Sequence, residues 1–250
     1  YTWNAENRLV SADTDGDGTD DVVNTYDADG VRVAQTVNGE ETRYLIDTNR
    51  PYAQVLEEYT EGGIIKVSYV HGNDLISQER DGERSTYHID GLGSTRALSN
   101  KSGETTDSYI YDAFGQVLTK IGDTPNSYLY AGEQRDSNLG LDYLRARYLD
   151  FRTGQFYAQD PFEGTLSRPM SLHRYKYADN NPVINIDPTG LFSIAAVVSV
   201  SFPRVSFPNL YNRAVIRGGV NATAALVELV PQAMLFREIG LLAIADAFSS

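Results

Sequence analysis

Cysteine is absent from the 250 residues, and histidine occurs only three times. The first absence excludes disulfides, cysteine-ligated zinc and a cysteine nucleophile. The second leaves His71, His88 and His173 in separate units, none with a metal-ligand partner at helical spacing, so neither a zinc site nor a Ser/His/Asp triad can be drawn from them. Positive charge is also scarce. Lys and Arg total 21 against 34 Asp and Glu, a net charge of −13, which argues against nucleic acid or an anionic membrane as the main partner of the acidic portion. Nearly all of that charge precedes residue 192; beyond it four Arg face Glu228, Glu238 and Asp246. Long apolar runs are missing too. The stretch from Phe192 to Phe202 is too short to cross a bilayer as a helix, and Pro203 and Pro208 break any continuation of it, so no transmembrane span is expected. The first residues, Tyr1-Thr2-Trp3-Asn4, do not read as a signal peptide, and the expectation is a piece of a longer polypeptide whose targeting signal lies upstream.

What is abundant is Tyr, at 17 residues, with 21 Gly. Tyr favours strands, and its ring packs while its hydroxyl bonds. The tyrosines recur in a pattern. Tyr26-Asp27-Ala28-Asp29-Gly30-Val31-Arg32 and Tyr109-Ile110-Tyr111-Asp112-Ala113-Phe114-Gly115 are nearly complete units, and Tyr1–Val10, Tyr128–Gly132 and Tyr148–Phe156 are variants. In each unit the aromatic and the apolar residue two positions away share one strand face. Asp opens a turn by bonding the backbone ahead, and Gly supplies positive φ. Each unit therefore predicts a β-hairpin that buries its apolar face only by stacking on its neighbours. Residues 87–96 contain glycines, but the flanks read as strand, predicting a tight hairpin and not a phosphate loop. The segment Leu139–Asp150 alternates as a strand, with Leu141, Tyr143, Arg145 and Arg147 on one face and Asp142, Leu144, Ala146 and Tyr148 on the other.

Between the first two units lies an acidic loop, Asp13-Thr14-Asp15-Gly16-Asp17-Gly18-Thr19-Asp20-Asp21. Asp13, Asp15, Asp17, the carbonyl of Thr19 and Gly18 match the first half of an EF-hand-like calcium loop, while Asn24 replaces the closing Glu. Asp20, Asp21 or Asp27 is available to close the sphere. The competing reading is a solvated acidic hairpin loop. Like charges this close favour a neutralising cation, and calcium is the expected one, with Asp13, Asp15, Asp17, Thr19 and Asp21 as its ligands.

The residues that organise the rest run from Gln159 to Leu191. Asp160-Pro161 and Asp187-Pro188 bracket an Arg/His/Tyr-rich run and an Asn180-Asn181-Pro182 turn, with Gly164 and Gly190 shortly after each pair. Proline holds the preceding Asp extended at the lip of a turn. His173 lies inside this loop, either as a packed polar residue or as a hydrogen-bond partner of a carboxylate.

This order of motifs, Asp-Pro, a Tyr-rich run, Asn-Pro-Val and then Asp-Pro-Thr-Gly-Leu, resembles the end of the core-associated domain of rearrangement-hotspot (Rhs) or YD-repeat proteins. The upstream units extend the resemblance over most of residues 1–190. The resemblance implies a mainly β fold of stacked antiparallel hairpins forming part of a shell or curled sheet, followed by a short α-helical tail. It divides the chain into YD hairpins (1–86), the core-associated domain (87–191) and a variable tail (192–250). In the tail, Val220, Ala224, Val227 and Leu235, Ile239, Leu242 suggest amphipathic helices. The family resemblance further implies a polymorphic-toxin shell, secreted or at the cell surface, that encloses its own C-terminal segment and releases it as an intramolecular aspartyl autoprotease. Asp160 and Asp187 would be its carboxylates and Leu191-Phe192 the cut bond. Two carboxylates in one site divide into an acid and a base, because both cannot ionise cheaply. Gln159 departs from relatives that carry Arg there, and Arg145 or Arg147 is a substitute cation. Expected partners are the tail itself, a secretion apparatus or an immunity protein. The alternative is a non-catalytic adhesive surface protein whose Tyr-rich faces bind carbohydrate.

Overall fold

The computed structural model describes residues 1–195 apart from 162, 165, 167 and 168. Twelve strands pair in sequence order into one antiparallel sheet: β1 (Thr2–Trp3), β2 (Leu9–Ala12), β3 (Val22–Tyr26), β4 (Arg32–Val37), β5 (Glu40–Asp47), β6 (Gln54–Thr60), β7 (Ile65–His71), β8 (Leu75–Arg80), β9 (Glu83–Ile89), β10 (Thr95–Ser99), β11 (Thr105–Tyr111) and β12 (Val117–Ile121). A pure meander of this length results from closing every strand with a local turn, which leaves no segment long enough for a crossover. The boundary expected after residue 86 falls inside β9, and the described residues all lie in one compact unit.

One turn recurs through the sheet. At Asp112 the side-chain Oδ1 accepts the N–H of Phe114 and of Gln116, both at 2.9 Å, while the Asp112 N–H donates to the Gln116 carbonyl at 2.9 Å. Gly115 occupies the fourth position at φ +96°, and a Cβ there would lie 2.6 Å from the ring of Tyr130. The same five-residue geometry starts at Asn4, Asp90 and Asn100, each accepting two N–H groups ahead of it. An Asx side chain thus satisfies backbone donors that the ladder leaves open at a hairpin end.

A second sheet holds β13 (Gln134–Asp136), β14 (Leu141–Leu144), β15 (Arg147–Asp150) and β16 (Gln155–Phe156). The alternating segment 139–150 is not one strand. Arg145 adopts φ 56°, the chain reverses, and Tyr143 faces Tyr148 across a hairpin. The reversal moves Tyr148 onto the face of Tyr143, where both rings pack at 5.1 Å with Leu9, Val22 and Leu141 in a core joining the two sheets. Full burial of each Leu there is worth roughly 1.5–3 kcal/mol.

A buried polar network crosses the same junction. Arg32 on β4 is 2% exposed, pairs with Asp136 at 2.8 Å, donates to the Tyr148 hydroxyl at 3.0 Å and stands 4.3 Å from the Tyr143 ring centroid. The Arg of the second YD unit therefore fixes the small sheet on the large one.

The last described pair is β17 (Asn185–Ile186) with β18 (Ile194–Ala195). Among the described residues, no helix is long and apolar enough to cross a membrane. The expected tail helices lie outside the described residues.

Candidate functional site

Asp160 and Asp187, 27 positions apart, meet at one guanidinium. Arg147, the first residue of β15, places Nη2 2.9 Å from Asp160 Oδ2 and 3.4 Å from Asp187 Oδ2. Its Nη1 donates to the Arg174 carbonyl at 3.1 Å, its Nε donates to the Gly190 carbonyl, and the guanidinium carbon lies 3.7 Å from the Phe156 ring centroid. Only arginine offers that fan of donors in one plane. Of the two candidate substitute cations, Arg147 thus stands between the carboxylates. Arg145, at the hairpin tip, pairs instead with buried Glu133, the Ala53 carbonyl (2.9 Å) and the Pro188 carbonyl.

The loop carrying Asp160 is clamped through its backbone. The Asp160 N–H donates to the Arg174 carbonyl at 2.9 Å, and Arg174 returns Nε and Nη2 to the Asp160 carbonyl at 3.0 and 2.7 Å. Gln159, turned so that its amide oxygen faces the same arginine, accepts from Arg174 Nη1 at 2.7 Å. No motif marks Arg174 individually; its place in the Arg/His/Tyr-rich run is the available signal. His173 beside it is exposed, which corrects its reading as a packed residue.

Asp187 faces the bond after Leu191. Its Oδ1 accepts the N–H of Leu191 at 3.1 Å and of Phe192 at 3.2 Å. The loop closes this tightly because Gly190 adopts φ +69° against β14, where a Cβ would collide with the Leu144 carbonyl oxygen. The Ala146 N–H adds a bond to the Thr189 carbonyl at 3.2 Å. The β14–β15 hairpin therefore holds residues 188–190 from three consecutive positions.

Burial dominates the electrostatics. Asp187 is 2% exposed, and burial raises its pKa above the usual carboxylate value even though Arg147 and the two N–H donors pull it back. Burial likewise lowers the Arg147 value. Glu133, buried beneath Arg145, is pushed up to about 7 by loss of water. No sequence signal marks Glu133, an isolated Glu in extended backbone just before β13. A groove of about 350 Å³ runs past Leu191 between Tyr52, Ala53, Arg147, Gln159 and Pro161. It is large enough to hold water, since one water occupies about 30 Å³ of liquid.

The acidic loop forms a separate cluster. Ligand oxygens of Asp13, Asp15 and Asp21 lie within 4.8 Å of one another. Asp17 and Thr19 turn toward each other instead, with Asp17 Oδ1 accepting the Thr19 N–H at 2.7 Å and its hydroxyl at 2.5 Å.

Comparison with known proteins fits this architecture. The family model described as Teneurin YD-shell matches residues 1–183. The tRNA3(Ser)-specific nuclease WapA of Bacillus spizizenii is 37% identical over 76% of this chain, which spans 8% of that relative's length. The probable deoxyribonuclease RhsB of Dickeya dadantii is 28% identical over 78% of this chain and 14% of its own. Among solved structures, the TcdB2-TccC3-Cdc42 crystal structure superposes on 76% of this chain and 10% of its own, with a TM-score of 0.58 at 19% identity.

Proposed function

The chain belongs to the Teneurin YD-shell family, and from that premise we propose that it is a segment of a toxin-type shell that cuts its own backbone once, between Leu191 and Phe192. The observation that carries this reading is the Asp187 carboxylate bonded to the Phe192 N–H at 3.2 Å while sharing Arg147 with Asp160. Asp160 takes a proton from water. The resulting hydroxide adds to the Leu191 carbonyl carbon, and Asp187 in its protonated form supplies a proton to the Phe192 nitrogen as the C–N bond breaks. A carboxyl whose pKa is raised by burial suits the acid role, which leaves the base role to the carboxylate across Arg147. Fixed geometry within one chain replaces the entropic cost of bringing the groups together.

The shell would be secreted or displayed at the cell surface, and its partners would be its own segment beyond Leu191, a secretion apparatus and an immunity protein. Purified protein on a denaturing gel should give two fragments, the smaller beginning at Phe192 by mass. Asp160→Asn and Asp187→Asn should leave one band. A wild-type chain that stays whole would sink the reading.

A second reading, a surface protein that binds carbohydrate, is favoured by an aromatic group in which Tyr1 and Tyr157 are exposed and Trp3 is partly buried. Tyr1 and Tyr157 rings lie 5.0 Å apart, and Trp3 stacks on Tyr157 at 6.4 Å. The salivary gland surface protein 1 of Aedes aegypti is a 31% identical relative. Glycan-array binding by an uncut chain would support it. We also infer that the acidic loop takes calcium through Asp13, Asp15 and Asp21, whose mutual repulsion a divalent cation relieves. Calorimetric titration giving no heat would remove that site.

A further inference from the structure

The hydrogen bond that marks the cut also determines what becomes of the product. Hydrolysis adds one water across the Leu191–Phe192 bond. The hydroxyl goes to the Leu191 carbonyl carbon and the remaining proton to the Phe192 nitrogen; at neutral pH the new carboxyl gives up its own proton and the amine takes one, so the products are a carboxylate and an α-ammonium. That nitrogen already lies 3.2 Å from Asp187 Oδ1, in a site where Asp187 is 2% exposed. Resting on the self-cleavage reading, we propose that the cut creates its own latch: the new Phe192 ammonium forms an ion pair with the buried Asp187 carboxylate and keeps the severed segment on the shell.

Two further features support the latch. The residues just beyond the bond are strand-paired to the shell, Ile186 with Ile194 and Asn185 with Ala195, so the nitrogen has little freedom to withdraw. The acceptor is also pre-aimed. Asp187 Oδ1 accepts two successive N–H groups and the Thr189 hydroxyl at 3.4 Å, which fixes its direction before any charge forms. Converting a neutral donor into an ammonium strengthens a bond that is already in place. The groups facing Asp187 are Arg147 and Asp160, with Glu133 and the Tyr177 hydroxyl nearby. Arg147 keeps its hold on Oδ2 while the ammonium takes Oδ1. Two conditions open the latch: acid protonates Asp187, and alkali deprotonates the amine.

The test uses the cut full chain and reads the amine directly. Acetic anhydride labelling across a pH series, quantified by mass spectrometry of the Phe192 peptide, is compared with a synthetic peptide of residues 192–201. An ion-paired amine should titrate at least one pH unit above the free peptide, whose α-amine lies near the usual value of about 7.7–8.0, and should react at least about fourfold more slowly at pH 8. An amine that is merely shielded from water would titrate below the peptide, because burial disfavours its charged form. The two fragments should co-elute on gel filtration at pH 7. A midpoint at or below that of the peptide, or separation at pH 7, overturns the latch while leaving self-cleavage intact. A chain that never cuts overturns both.

Discussion

Replacing Arg147 tests the site at its centre. In the native chain its guanidinium serves Asp160, Asp187, the Arg174 carbonyl and the Gly190 carbonyl at once. Arg147→Met keeps the stem over Phe156 and removes the charge. Breaking a buried pair by deleting one partner costs about 3–5 kcal/mol, because the remaining carboxylates stay buried without their cation. For a unit of this size about 1 kcal/mol moves Tm by roughly 2–4 °C, so a drop on the order of 10 °C is expected by calorimetry. The drop should shrink in acid. Asp187 already titrates above its usual value, and losing Arg147 raises it further. A raised carboxyl favours the fold below its unfolded pKa, and that advantage is lost as pH rises through the folded value. The Met variant should therefore lie closer to wild type at pH 4 than at pH 8. Arg147→Lys separates charge from geometry. Lysine keeps the cation and loses the planar fork, so stability should recover in part while cleavage, followed on a denaturing gel, stays at least tenfold slower than wild type. A lysine variant that cuts at the wild-type rate, or a Met variant that melts with wild type at pH 8, would refute the account of the site.

Gly190→Ala should cost at least about 1–3 kcal/mol, because it combines positive φ with a collision at the Leu144 carbonyl oxygen, and it should slow cleavage with Asp160 and Asp187 unchanged. Glu133→Gln should flatten the pH dependence of stability. The native side chain, raised to about 7 by burial, favours the fold below its unfolded pKa near 4.5 and loses on the order of 3 kcal/mol as pH rises through 7; an unchanged pH profile would contradict this. Asp112→Ala removes the side-chain oxygen that accepts two N–H groups of the third YD turn, and a urea melt should show a loss of about 1 kcal/mol with an unchanged slope.

The turns are legible in the sequence because their causes are local. Asp112 bonds groups two and four residues ahead of itself, and Gly115 supplies the φ that the bend requires, so five consecutive letters carry the whole instruction. Repetition of that instruction dictates a meander, and with it the mainly β architecture. The segment 139–150 misleads for the opposite reason. Its alternation is equally compatible with a strand and with a hairpin whose two arms each alternate, and the choice belongs to the large sheet. Tyr143 and Tyr148 are drawn to one face by Leu9, Val22 and buried Arg32, which come from more than a hundred positions away. That hairpin then decides which arginine does what. Arg145 falls at the bend and goes to Glu133, and Arg147 falls at the start of β15 and enters the space between Asp160 and Asp187. The sequence by itself determined the bends that an Asx side chain and a glycine build locally, as at Asp112 and Gly115. The tertiary structure alone decided which charges share a buried space, because burial and the cost of leaving a charge unpaired depend on everything packed around them.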